Sequence, residues 1–170
     1  MPPLHDLPAG VRVFVDANVL VYHFATAPSE LQASVRSFLT SVRPQRIQPF
    51  TSPPVVLDVV HRALVAEARK EHHLATSLDA VNYLKRHPET VRVIQGRLPN
   101  VASDLFNRFG IRIESVTYQH VHASRRIRME HGLMANDSLI VALMHDLKLQ
   151  HLVTNDRDFE KVPGITVWLP

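Results

Sequence analysis

Apolar residues along this chain fall into short near-continuous runs, separated by longer stretches with helical spacing. Val11, Val13, Phe14 and Val15 make a β-branched and aromatic run that ends at Asp16. Such continuity suits a strand covered on both faces. Over residues 17–24 the spacing of Val19, Leu20 and Phe24 is helical. Pro28-Ser29-Glu30 opens a second helix that buries Leu31, Val35, Phe38 and Leu39. Residues 47–50 read as a short strand. Thr51-Ser52-Pro53-Pro54 then marks a helix start, with Ser52 as N-cap and prolines where a missing N–H costs nothing. That helix runs through Val56, Val60, Ala63 and Leu64 to about residue 70.

Residues 75–110 predict two helical pieces around a link at 86–94 that contains Pro88. Residues 111–116 alternate and read as a strand. Thr117 caps a helix that stops at Gly132. A further helix over 136–149 buries Leu139, Ile140, Leu143 and Leu147. Residues 151–154 form a strand ending in Asn155-Asp156, and 165–169 a last strand behind Pro163-Gly164. Strands separated by helices predict an α/β fold, a three-layer α/β/α sandwich with a mainly parallel central sheet. At 170 residues, with no repeat or low-complexity linker, the expectation is one domain over 1–170.

Composition narrows the chemistry. The absence of cysteine excludes a disulfide framework, a thiolate metal site and cysteine catalysis. No uncharged apolar run approaches the roughly 20 residues of a membrane span. The first ten residues have neither a basic head nor an apolar stretch. A soluble, cytoplasmic protein is expected, with no membrane partner. The net charge of +3 is unevenly spread, with 12 basic against 7 acidic side chains between residues 61 and 131. This excess is compatible with a polyanionic partner without establishing one. Spacings such as His72–His73 and His120–His122 place no two histidines on one helical face, so the 11 histidines read as scattered.

Ligands of open parallel sheets bind beyond the carboxyl ends of the strands. Asp16 and Asp156 follow two predicted strands, while Asp58 and Asp137 sit in opening turns of helices on the same rim. Each has an ordinary alternative. Asp58 is placed to pair with Arg62 at i+4, Asp137 suits a helix dipole, and Asp156 lies in a turn-like Asn-Asp-Arg-Asp stretch. Asp16 is the hardest to dismiss, because a carboxylate closing an apolar strand needs a partner or a cation. Two ionised carboxylates about 5 Å apart repel by roughly 3 kcal/mol at an effective dielectric near 20. A convergent cluster therefore stays partly protonated or holds a cation. An all-oxygen site favours Mg²⁺ or Mn²⁺, and phosphodiester hydrolysis is the natural use of that ion.

Val13-Phe-Val-Asp16-Ala-Asn18-Val-Leu, Thr51-Ser52 leading to Asp58, Asn136-Asp137-Ser-Leu-Ile and Thr154-Asn-Asp156-Arg-Asp158-Phe159 occur in the order and approximate spacing of PIN-domain nucleases. The chain resembles the VapC-type toxins of toxin–antitoxin pairs over about residues 11–170. The resemblance implies a PIN-like α/β/α sandwich, acids that bind Mg²⁺ or Mn²⁺, and endoribonuclease activity. It also implies a homodimer, and an antitoxin that inserts a peptide into the active-site groove. Asp16, Asp137 and Asp156 fall on family acids, Ser52 and Thr154 on polar residues that brace the site, and Asn18 also matches. Two departures stand out. Asp58 takes the place of a usual glutamate, one methylene shorter. The chain is also longer than compact members, with the extra length placed at 75–110 as a helical insertion or lid.

The resemblance and the acids together lead to the expectation of an RNA-hydrolysing enzyme with Asp16, Asp137 and Asp156 on the metal and Asp58 as a fourth ligand. Arg125, Arg126 and Arg128, on the helix before Asp137, are candidate contacts to an RNA backbone, or else a solvated helix face. Two other readings stay open. A non-catalytic PIN-like module for RNA binding or assembly is kept alive by the Asp58 replacement. A haloacid-dehalogenase-like phosphatase shares the strand-then-Asp16 opening, but Asn18 and Leu20 stand where that family has an acid and a hydroxyl.

Overall fold

The computed structural model describes residues 1–25 and 28–170. Strands β1 (Arg12–Val15), β2 (Gln48–Thr51), β3 (Arg112–Ile113), β4 (His151–Val153) and β5 (Thr166–Trp168) form one parallel sheet in the order β3-β2-β1-β4-β5. Val13, Phe14 and Val15 of β1 are fully buried, which accounts for their unbroken apolar run. Val13 lies opposite Pro49 of β2 on one side and His151 of β4 on the other. The chain moves outward from β1 to β3 and then returns to place β4 beside β1. The strand order thus reverses at the β1–β4 pair, and a crevice is left beyond their carboxyl ends.

Helices α1 (Ala17–Phe24), α2 (Ser29–Ser41), α3 (Pro53–Glu71), α4 (Ser77–Arg86), α5 (Pro88–Arg97) and the short α6 (Val101–Ser103) belong to the outward part of the path. Helices α7 (Tyr118–His131) and α8 (Ala135–Asp146) belong to the return. Right-handed crossovers running in opposite directions put the two groups on opposite faces. In keeping with that, α1 packs on α2 and α3, while α7 and α8 pack on each other. No helix among the described residues is long and apolar enough to cross a membrane.

The expected elements are present, with four corrections. The link foreseen at 86–94 is helix: only His87 separates α4 from α5, and Pro88 occupies the first turn of α5. Proline is tolerated there because its missing N–H would find no partner anyway. The strand expected over 111–116 shortens to Arg112–Ile113. It is an edge strand with β2 as its one neighbour, and its pairing ends with the Glu114 N–H on the Thr51 carbonyl at 2.9 Å. Of the residues assigned to buried helix faces, Leu31 of α2, Leu139 of α8 and Leu147 just beyond α8 are only partly buried. The N-terminus carries structure that its prolines concealed. Leu4 and Leu7 enter the core, and the Leu4 N–H donates to the Leu169 carbonyl at 2.6 Å, beside β5.

Residues 75–110 divide between two apolar clusters. Ala80, Leu84 and Ile94 pack on Val65 and Ala68 of α3, apart from the sheet. Val101, Leu105 and Phe109 join the main core. The α7 helix ends as its sequence foretells, at Gly132 with φ 69°, a conformation glycine adopts without steric cost.

Candidate active site

The end of β1 sets the position of Asp16. Its N–H continues the ladder to the Val153 carbonyl at 3.0 Å, and the residue then becomes the N-cap of α1. One carboxylate oxygen accepts the Ala17 N–H at 2.6 Å, and the other accepts the Thr154 hydroxyl at 2.9 Å. Asp16 is 9% exposed, and burial is the main reason its carboxyl is pushed up to about 6. The bonds from Thr154 and Ala17 oppose that shift, the charge of Asp137 adds to it, and that of Arg62 opposes it.

Thr154, fully buried at the end of β4, ties these segments together. While donating to Asp16, its oxygen accepts the Asn18 side-chain amide at 2.9 Å and the Asp156 N–H at 3.1 Å. One hydroxyl hydrogen and two lone pairs are thus all used. Asn18 in turn accepts the Asn155 N–H at 3.0 Å. Asp156 accepts the Asp158 N–H at 2.8 Å, which fixes the turn after β4.

Asp137 lies in the first turn of α8, half-buried. Burial raises its pKa, and the charges of Asp156 and Asp158 raise it further. Asp58 lies on α3, where its Oδ2 meets Arg62 Nη2 at 2.9 Å. Ser52 is buried at the N-cap position of α3 but makes no capping hydrogen bond with its side chain.

Asp16, Asp58, Asp137 and Asp156 all line one cleft at the β1–β4 crevice. Asn18, Ser52, Asn136 and Arg62 share its wall, and Thr154 braces it from beneath. Among the described residues, however, no three carboxylates or imidazoles gather closely enough to hold a metal ion. The acids face one space without collapsing to one point, as mutual repulsion requires.

The three arginines do not form one surface. Arg128 donates to Ser124 at 2.9 Å and Ser138 at 3.2 Å, tying α7 to α8 beside Asp137. Arg126 is exposed with Glu130 at 3.7 Å, Arg125 is exposed, and neither lines the cleft. Sequence reasoning missed Arg62 as a wall of the cleft. The i+4 spacing from Asp58 is legible in the sequence as an ion pair; the structure places that pair on the cleft wall.

The PIN domain family profile matches residues 13–165. This chain belongs to the PIN domain family. Membership removes the haloacid-dehalogenase-like alternative. The chain is 24% identical over 156 residues to Ribonuclease VapC2 of Methanocaldococcus jannaschii, covering 92% of each chain. Its fold is similar to that of VapC20 of Mycobacterium tuberculosis, described as a Sarcin-Ricin loop cleaving toxin, with TM-score 0.54 and 14% identity. That match covers 87% of this chain and 92% of the other. It is also similar to a chain of VapBC2 from Rickettsia felis, whose structure is bound to a promoter DNA fragment, with TM-score 0.51 and 14% identity. Here the coverage is 93% and 98%. At such identity the two structures speak for the PIN fold alone.

Among the described residues, four carboxylates and no imidazole or sulfur line the cleft, a donor chemistry that suits a hard divalent cation. Burial raises the pKa of two of these acids, with the charge of Asp137 adding to the shift of Asp16 and the charges of Asp156 and Asp158 adding to that of Asp137.

Proposed function

We propose that this PIN domain is a metal-dependent endoribonuclease, the toxin of a type II toxin–antitoxin pair. The observation that carries the proposal is the convergence of four carboxylates from four separate segments on the cleft where the strand order reverses. Asp16, Asp137 and Asp156 hold Mg²⁺ or Mn²⁺, directly or through water, with Asp58 as a fourth acid. The ion supplies charge neutralisation at the phosphate and an activated water for phosphodiester hydrolysis. Thr154 and Asn18 keep Asp16 and Asp156 at fixed separation, and Ser52 contributes a polar group on the cleft wall. The similarity to a curated VapC ribonuclease supports RNA as substrate. The VapBC neighbour supports an antitoxin as partner. Exposed Tyr118, Val121 and Met129 share a face of α7 and support a homodimer.

The test is cleavage of a mixed RNA pool with Mn²⁺ by wild type and Asp137→Asn, prepared identically. Cleavage by wild type alone, stopped by chelator, is the expected result. A wild-type rate in Asp137→Asn would remove Asp137 from the metal site. Intact RNA in both samples, with no Mn²⁺ bound by the wild type, would favour the non-catalytic module.

Metal binding should also be visible in stability, and its pH dependence has a definite sign. Protons compete with the ion for Asp16, whose pKa is raised to about 6. Mn²⁺ at 100 times its Kd stabilises the fold by about 2.7 kcal/mol, or roughly 5–10 °C in Tm for a chain of this size. Thermal melts should show that rise at pH 7.5 and little of it at pH 5. An equal rise at both pH values would place the ion away from Asp16.

A further inference from the structure

Among the described residues lining the cleft, Arg62 is the one basic side chain. It sits one helical turn after Asp58, and their contact is a single 2.9 Å bond between half-exposed groups. The other three acids of the cleft come from separate segments, Asp16 just after β1, Asp137 on α8 and Asp156 in the turn after β4. Arg62 also acts on the acids beyond its partner, since its charge reaches Asp16. Asp58 therefore has two competing cations within its reach: a guanidinium fixed on its own helix, and whatever ion the cleft takes up. Ion pairs between exposed i,i+4 side chains are weak and exchange readily. A divalent ion facing several carboxylates at once can displace one.

We propose that Arg62 occupies the Asp58 carboxylate in the metal-free protein and yields it to the incoming divalent ion, so that this pair sets the metal affinity of the cleft. Arg62 is thus a positioning residue, acting through Asp58. The proposal rests on the metal-dependent reading above.

A double-mutant cycle on Mn²⁺ affinity, measured by calorimetry, tests this directly. Arg62→Ala should bind Mn²⁺ about 3- to 5-fold tighter than wild type, the range that competition by an exposed ion pair allows. Arg62→Gln should do the same, guarding against a local effect of truncation. In an Asp58→Asn background, Arg62→Ala should change the affinity less than twofold. An unchanged affinity in both Arg62 variants would overturn the proposal. So would an equal gain with and without the Asp58 carboxylate, which would mean a long-range charge effect only. Asp16→Asn separates the two levels of argument. If it weakens Mn²⁺ binding while the Arg62 variants change nothing, the metal site stands and the Arg62 role falls. If wild type binds no Mn²⁺, both fall together.

Discussion

Asp16→Asn should abolish RNA cleavage and, at the same time, raise the melting temperature of the metal-free protein. The two effects have one origin. Asp16 is nearly enclosed at the end of β1, and its carboxyl is pushed up from 3.8 to about 6, chiefly by burial. A carboxyl whose folded pKa exceeds its unfolded value contributes stability that is fully present below pH 3.8. That contribution is lost as the pH rises through about 6. At pH 7 the charged form therefore costs about 3 kcal/mol. An uncharged asparagine removes that cost. It keeps one acceptor oxygen and so loses one of the bonds from Ala17 and Thr154, returning about 1 kcal/mol. The net gain is about 2 kcal/mol, or roughly 4–8 °C. Cleavage should fall by about 10³-fold, equivalent to about 4 kcal/mol of lost transition-state stabilisation by the ion. Melts of both proteins at pH 7 in chelator, beside cleavage assays with Mn²⁺, read the two signs together. A variant that is less stable as well as inactive would mean that Asp16 is held for structure and not for charge. Stability held below its maximum at a functional carboxylate is the usual trade between fold and activity.

Why some of this was legible in the sequence, and some not, follows from the range of the interactions. The β1 run from Val13 to Val15 is apolar because both faces are covered, and that pattern is local. Thr117 and Gly132 bound α7 through contacts within a few residues, so their chemistry also reads directly. The acids Asp16, Asp58, Asp137 and Asp156 could be placed on one rim from strand and helix order alone, since the crevice is a property of the topology. The partners of those acids could not. Asp58 has a local partner in Arg62 and a place in the cleft, and the i+4 spacing is the same whichever role matters. Arg128 reads as a surface cation until Ser138 is seen to reach it from α8. Pro88 suggests a link from sequence alone, because a proline at the first turn and a proline that ends a helix leave the same letter in the sequence.

Thr154→Val offers the sharpest view of how the scaffold serves the acids. Valine preserves the shape of this fully buried side chain while removing its hydroxyl. Asp16 then loses a donor, and the Asn18 amide and the Asp156 N–H lose their acceptor. Leaving such groups without a partner costs about 1–3 kcal/mol, so the melting temperature should drop by roughly 2–12 °C. The Thr154 bond also holds the Asp16 pKa down, so its removal should raise that pKa further. The pH at which cleavage reaches half its maximum should accordingly move upward. Asp156 would lose its tether to β4, and activity at optimal pH should fall about 10- to 100-fold, as for other residues that orient metal-binding side chains. Thr154→Ser retains the hydroxyl and should recover most of the activity with an unshifted pH profile. That rescue separates the hydrogen-bonding role from simple loss of packing. If Thr154→Val folds and cleaves with a wild-type pH profile, the hydroxyl does not position the acids, and the alignment of Asp16 with Asp156 must come from the β1–β4 ladder itself.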